Sequence, residues 1–263
     1  MKYLLPQFSS GYIEAYLKTR KANPGALFYR YLSGRETEER RERLYDFITS
    51  ADTSMLCSLL SRHEKSLQQW KERFGDGTVQ GETMELVDRM VVGMGHSSSF
   101  ENGMLLHRIH GIPYVNGEAL KGAARSYAWD MIKEAGSCQT ENFRKIFGSL
   151  KKEEEDDVFM GKVVFFDAFP EMNQELFDVD IVTCHYGAYY TPETDPPPEP
   201  GDWYSPKPIP FLAVRKGVKF RFAVASSEEG LATQAWTWLK NALMRRGMGA
   251  KKHIGYGHFI PVH

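Results

Sequence analysis

The spacing of apolar residues changes character near residue 80. Before it the chain reads as helical. Ala15-Tyr16-Leu17 and Ala26 to Leu32 are apolar runs separated by the turn signal Asn23-Pro24-Gly25. Glu36 to Arg43 is a mixed charge run that suits a solvated helix face. It leads into Leu44, Phe47 and Ile48, spaced as on one side of a helix. A further helix is predicted from about Met55 to Phe74, ended by Gly75-Asp76-Gly77.

Beyond that point alternation takes over. Thr83 to Val92 is rich in β-formers and stops at Gly93-Met94-Gly95; Met104 to Ile109 is a second extended run. Asn116-Gly117 is a turn, and Glu118 opens a helix to about Lys133. A short helix is expected around Phe143 to Phe147 and a solvated loop over Lys151 to Asp157. Strands are expected at Gly161 to Phe166, Phe211 to Val214, Val218 to Val224 and Gly257 to Val262. Asp180 to Tyr190 reads as extended and aromatic, and the five prolines from Thr191 to Pro200 exclude regular structure. Ser226 or Ser227 is placed to cap a helix over about Gly230 to Arg246, which displays Leu231, Trp236, Trp238, Leu239 and Leu243.

With loops set aside, the order after residue 80 is β-α-β-β-α-β. The predicted fold is therefore α+β and ferredoxin-like (RRM-like), an antiparallel sheet with both helices on one face and the other face open. Open faces of this kind bind RNA in recognition modules, although the fold alone fixes no function. The expected organisation is an N-terminal helical extension over 1–80 and the ferredoxin-like domain over 81–263, with long insertions at about 93–117 and 170–210.

Composition narrows the class. Apolar residues make up 42% and charged residues 25% of 263, ordinary for a globular chain. Cys57, Cys138 and Cys184 are few, scattered and odd in number, as expected of a reducing, cytoplasmic compartment. None forms a C-x-x-C pair, and no apolar run is long enough to span a membrane. Neither a nucleotide fingerprint nor a nucleophile motif is present, which argues against a small-molecule enzyme, and no cofactor is expected.

Charge is uneven along a chain whose net value is −1. After Glu229 there is no acid, while Lys240, Arg245, Arg246, Lys251 and Lys252 give the tail +5. Here lies Gly247-Met248-Gly249-Ala250-Lys251-Lys252-His253-Ile254-Gly255-Tyr256-Gly257, four glycines in eleven residues. Glycine lets the backbone approach a ligand, loop amides can cradle an anion, and lysines supply charge for phosphates. The same stretch also suits a plain turn between a helix and a last strand. Lys121 and Arg125 share one helix face within two turns of a helix N-terminus, a second phosphate-binding candidate or else two exposed cations. His107 and His110 lie in an extended run and are expected to point to opposite faces, so joint metal ligation is not expected.

Gly111-Ile112-Pro113-Tyr114-Val115-Asn116-Gly117-Glu118-Ala119-Leu120-Lys121-Gly122-Ala123-Ala124-Arg125 resembles the G-x-P-x-I-P-G-S-S-L-K-G-x-x-R element of RAMP proteins, the repeat-associated subunits of type III CRISPR effector complexes. The C-terminal stretch is similar to their glycine-rich loop. Val91 to His96, Phe165 to Pro170, His185-Tyr186 with Tyr189-Tyr190, and Pro208 to Val214 resemble, more narrowly, the sixth-subunit family of Cmr (type III-B) complexes. The resemblance runs in order from about 85 to 262. Asn116 stands where the family usually has proline, and Glu118 where it has a small polar residue.

The resemblance implies a non-catalytic RNA-binding subunit of an RNA-guided antiviral complex, capping the 3′ end region of the guide RNA and helping to capture target RNA. Its implied partners are guide RNA, target RNA, the backbone RAMP subunit, the small subunit and a neighbouring RAMP cap subunit. RNA contact is expected at Lys121, Arg125, Gly249, Lys251, Lys252, His253, Gly255, Tyr256, His96 and His185. The family's backbone subunit cleaves with an aspartate in the loop after its first strand. Here Gly93 to Gly103 offers His96, Ser97 to Ser99 and Glu101 but no aspartate. The alternative is a repeat-processing endoribonuclease, with acid–base chemistry drawn from His96, His185, His253, Tyr186 and Lys252.

Overall fold

The structure is a computed structural model that describes residues 23–30, scattered positions between 45 and 54, 56–96, 98, 102–135, 140–149, 159–190, and 192–262 save 197 and 202. The charge run at 36–43, the loop at 151–157, and Ser97, Ser99 and Glu101 lie outside the described residues. In chain order the elements are α1 (Pro24–Arg30), α2 (Leu56–Phe74), β1 (Val79–Gln80), β2 (Thr83–Leu86), α3 (Gly117–Ala135), α4 (Thr140–Phe147), β3 (Val163–Phe165), β4 (Phe169–Pro170), β5 (Phe177–Cys184), the one-turn α5 (Gly187–Tyr190), β6 (Lys207–Val214), β7 (Lys219–Arg221), β8 (Val224–Ser226), α6 (Glu229–Arg245) and β9 (Phe259–Pro261). The chain is thus mixed helix and antiparallel sheet.

Two short sheets join end to end through shared registers. Val79 faces Ala225 and Met84 faces Phe220, which is one alignment continued across Gly81-Glu82. Residues 79–86 therefore act as one interrupted strand beside 219–226. On the other side Phe165 faces Val224 and Phe169 faces Arg221, so four steps of chain oppose three. The extra residue is a β-bulge at 166–168. With β9 paired to β2, the strands run β9, β1/β2, β7/β8, β3/β4. The predicted strand at 83–92 pairs here only over 83–86; Met90, further on, bridges Val214 instead.

Alternation decides the faces. Met84, Leu86, Phe220 and Phe259 are buried, while Thr83, Glu85 and Arg221 are not. The buried set shares one core with Leu120, Ala124 and Ala128 of α3 and Leu231, Ala235, Leu239 and Leu243 of α6. The opposite face was expected to be open. In fact α2 lies over part of it: Glu64 pairs with Arg221 at 3.1 Å and His63 packs edge-on against Phe166 and Phe169. Leu27, Phe28, Tyr45, Ile48 and Leu56 also belong to the main core.

Two local expectations change. Ser226 is fully buried in β8, and the helix cap falls on Glu228, whose amide donates to Ser226 Oγ. Asp180 to Tyr190 is not extended throughout: β5 ends at Cys184 and a helical turn follows, closed by Tyr190 N–H to Tyr186 O. Pro208 and Pro210 sit inside β6, which a two-stranded ribbon permits because one edge of β6 needs no donors.

Candidate nucleic-acid interface

Helix α6 delivers the glycine-rich loop. Gly247 takes the left-handed conformation after Arg246 and donates to Ala242 O, a Schellman-type closure. The loop is then laced onto the chain that leaves β2. Ala250 N–H donates to Val91 O at 2.8 Å, Gly257 N–H to Arg89 O at 2.8 Å, and Val87 N–H to His258 O at 2.9 Å. His258 adds a link between the helix end and the loop, with one ring nitrogen 3.2 Å from Met244 O and the other 3.2 Å from Lys252 O. A Cβ on Gly249 would collide with the Val91 carbonyl. Glycine is required there by close approach.

This lacing sorts the predicted contacts. Lys252, His253 and Ile254 form a 3-10 turn at the tip and are exposed. Gly255 closes that turn with open space around its Cα. Tyr256 is buried at 6% exposure, so it supports the loop from within and presents no ring to a partner. Lys251 is half-buried at φ 58°, its ammonium 4.5 Å from the centre of the Phe211 ring and 5.9 Å from that of Tyr256. Among the tail's other cations, Lys240 pairs with Glu82 and Arg246 with Asp130. Arg245 and Lys252 have no ion-pair partner among the described residues.

Phe211 belongs to the β5–β6 hairpin. Facing residues on a hairpin share a side, so Asp178, Asp180, Val182, Phe211 and Ala213 all look toward the loop. There Val91, Phe211, Ala213 and Tyr256 form a small second core, flanked by Met94 and Val182. Arg89 Nε binds Asp178 at 2.6 Å while its carbonyl holds Gly257. Its guanidinium also lies 3.7 Å from Asp180, and these partners raise its pKa further. In the sequence Tyr256 was singled out as an RNA contact and Val91, Met94, Phe211 and Ala213 only as parts of family motifs, while no supporting role was read for Arg89, Asp178, Asp180 or Val182. The alternation of Asp178, Asp180 and Val182 with Phe211 and Ala213 was the available signal, but only the pairing register reveals it.

His96 is exposed in the loop that begins at Gly93, held by His96 N–H to Gly93 O. That loop leaves the chain beside Val91-Val92, where the glycine-rich loop is pinned. His185 is exposed beyond β5, on a recess of about 350 Å³ lined also by Thr183, Cys184, Tyr186 and Tyr190. No hydrogen bond or ring contact joins His96, His185 and His253 among the described residues.

Lys121 and Arg125 lie on α3, outside the loops that carry this group. Arg125 lies 5.9 Å from the ring centre of Phe143 in α4, and no hydrogen bond or ring contact links either cation to the glycine-rich loop among the described residues. The N-terminus of α3 is already supplied with acceptors: Gly117 N–H donates to Asp167 Oδ1 at 2.7 Å and Ala119 N–H to Asn116 Oδ1 at 3.2 Å. Asp167 is aimed there by the bulge. Its carboxylate fills the site a phosphate would use.

The histidine pair overturns an expectation. The chain turns back at 107–111, with Gly111 at φ 65° and its N–H on His107 O, so the run is not extended. The His107 and His110 rings approach to 4.9 Å between centres. His107 Nδ1 faces the amides of Ile109 and His110, and His110 Nε2 lies 3.4 Å from Arg62. Burial lowers the pKa of both, followed by His110 and Arg62 for His107 and by Arg62 for His110. Among the described residues no group of three or more His, Cys, Asp or Glu is placed to hold a metal ion, and no helix is long and apolar enough to cross a membrane.

Comparison with known proteins gives a consistent picture. Residues 83–260 match the RAMP superfamily. The CRISPR system Cmr subunit Cmr6 of Pyrococcus furiosus is 30% identical over 252 residues, covering 75% of this chain and 74% of that one. A chain in the cryo-EM structure of the type III-B Cmr-beta complex bound to cognate target RNA has a similar fold, with TM-score 0.61 and 18% identity over 97% of this chain and 87% of that one. The crystal structure of Pyrococcus furiosus Cmr6 aligns at TM-score 0.45 and 29% identity, over 70% of this chain and 98% of that one.

Proposed function

The chain belongs to the RAMP superfamily, and from that premise we propose that it is a non-catalytic, RNA-binding subunit of a type III-B CRISPR effector complex. In this reading it takes the Cmr6 place, caps the 3′ end region of the guide RNA and helps capture target RNA beside its neighbouring subunits. The observation that carries the reading is the relationship to Cmr6 across three quarters of both chains. The superfamily match also spans the strands from β2 to β8, most of β9, α3 and the whole glycine-rich loop.

The core is ferredoxin-like in this reading, and the strand order β9, β1/β2, β7/β8, β3/β4 supports it. Residues 1–80 are an extension of a RAMP domain over 81–263, supported by a match that begins at residue 83. The RNA-facing surface is the loop tip at Lys252 and His253 with Arg245 nearby in sequence, extended by His96 and His185; Lys121 and Arg125 form a separate, weaker patch. That no hydrogen bond or ring contact joins His96, His185 and His253 among the described residues supports RNA contact without acid–base chemistry, which would need two such groups converging on one 2′-hydroxyl.

The test is incubation of the purified chain with labelled repeat-containing RNA, with and without divalent metal, on a denaturing gel beside a salt-dependent binding assay. Intact RNA bound weakly, with affinity falling as salt rises, is the expected result. Specific cleavage abolished by His96→Ala, His185→Ala or His253→Ala would replace this proposal with a processing nuclease.

A further inference from the structure

Of the two adjacent lysines in the loop, only Lys252 points away from the protein. Lys251 is one of two non-glycine residues with positive φ among the described residues. Its side chain turns back onto Phe211 and Tyr256. A residue held in a sparsely populated backbone region reports that its surroundings determine it. Here those surroundings are the second core, to which the loop gives Tyr256, the β5–β6 hairpin Phe211 and Ala213, and the chain after β2 Val91. Arg89 grips the same hairpin face at Asp178 and Asp180, and Asp180 is directly opposite Phe211. The two cations thus clamp both strands of the hairpin at one rung.

We propose that Lys251 is a positioning residue: its ammonium is committed to the Phe211 and Tyr256 rings, it fixes the glycine-rich loop against the hairpin, and Lys252 supplies the phosphate contact. This rests on the loop being an RNA-binding element, and it divides between two neighbours a role that their sequence makes look shared. A cation held over an aromatic face keeps its charge but is no longer free to follow a phosphate. Removing it shifts the loop geometry without removing a counterion-releasing contact.

The experiment compares Lys251→Met, Lys251→Arg, Phe211→Leu and Lys252→Ala in salt-dependent binding to a single-stranded repeat RNA, with hydrogen exchange across 207–214 in the same proteins. Lys252→Ala is expected to shallow the slope of log K against log salt by about 0.7, the value for one phosphate on a single strand. Lys251→Met is expected to weaken binding about two- to fivefold with an unchanged slope. Phe211→Leu should match it, the double variant should add nothing further, and Lys251→Arg should restore binding because a guanidinium stacks on the same ring. Exchange in 207–214 should quicken in Lys251→Met whether or not RNA is present. A slope change in Lys251→Met equal to that of Lys252→Ala, or unchanged hairpin exchange, overturns the positioning role. If exchange quickens while no loop variant alters RNA binding, the clamp stands and the RNA reading of the loop falls.

Discussion

Gly249→Ala should be among the most damaging single-methyl changes available in the C-terminal loop, and the structure sets its size. At φ 84° a residue bearing a Cβ costs about 1–2 kcal/mol more than glycine. The added carbon would also strike the Val91 carbonyl oxygen, whose freedom to move is small. That oxygen accepts Ala250 N–H at 2.8 Å, and its neighbours are fixed by Gly257 N–H on Arg89 O and Leu105 N–H on Val92 O. Relieving the collision breaks at least the Ala250 bond, worth about 1–1.5 kcal/mol net. The stiffer unfolded chain returns about 0.5 kcal/mol. The sum is a loss of about 1.5–3 kcal/mol.

Gly255→Ala is the internal control. Its φ is 101°, equally unfavourable for a side chain, but nothing lies within 4 Å of the added carbon. Only backbone strain remains, a loss of about 0.5–1.5 kcal/mol after the unfolded-state gain. At about 2–4 °C per kcal/mol for a chain of this size, thermal unfolding should fall by about 3–12 °C for Gly249→Ala and about 1–6 °C for Gly255→Ala. Equal shifts in the two variants would show that the loop is not seated on Val91 and would remove the geometric basis of the proposed interface.

Other substitutions probe the rest of the molecule. Gly122 lies within α3 with open space around its Cα, so Gly122→Ala should stabilise the chain by about 1 kcal/mol, read as a higher urea midpoint. The imidazoles of α2 and of the 107–110 turn should make the fold acid-sensitive: burial, and then Arg221, lowers the pKa of His63, while burial with nearby cationic groups lowers those of His107 and His110. Above about pH 6.5 these groups are neutral in both states; as pH falls below that value the unfolded chain takes up protons that the folded chain resists, so stability is lost. The urea midpoint should drop between pH 7.5 and pH 5.5, and His63→Leu should reduce that drop; an equal drop in the variant would exclude His63 as a contributor.

Periodicity and turn chemistry carried much of the architecture into view. The three long helices, the strand order along the chain and the glycine-rich loop are local signals, each written in a few consecutive residues. What stayed hidden depends on pairing between distant segments. The continuity of 79–86 with its neighbours, the bulge that aims Asp167 at Gly117, and the hairpin face bearing Asp178, Asp180 and Phe211 follow from register, which no single window contains. His107 and His110 were misplaced because apolar neighbours made their segment read as a strand, whereas Gly111 bends it. Tyr256 looked like an exposed aromatic in a basic loop; its burial follows from a second core whose other half lies more than forty residues earlier.

The covering of the sheet by α2 bears on where RNA could lie. A bare ferredoxin-like sheet offers its open face to unstacked bases. Here the middle of that face is taken by contacts within the chain, with Arg221 turned to Glu64, Phe169 under His63 and His107, and Thr83 donating to Glu171. A strand of RNA on that face would have to displace a 19-residue helix with Leu56 and Leu67 buried beneath it. Fully burying such a side chain is worth about 1.5–3 kcal/mol, so displacement works against binding. Under the proposed function the partner surface is therefore the end of the sheet where the Gly93 loop, the glycine-rich loop and the hairpin project together. That end needs no rearrangement of the core to be reached. It also explains why the residues that support Lys252 and His253 are drawn from three separate stretches of chain: a contact surface made of loops is only as rigid as the small core beneath it.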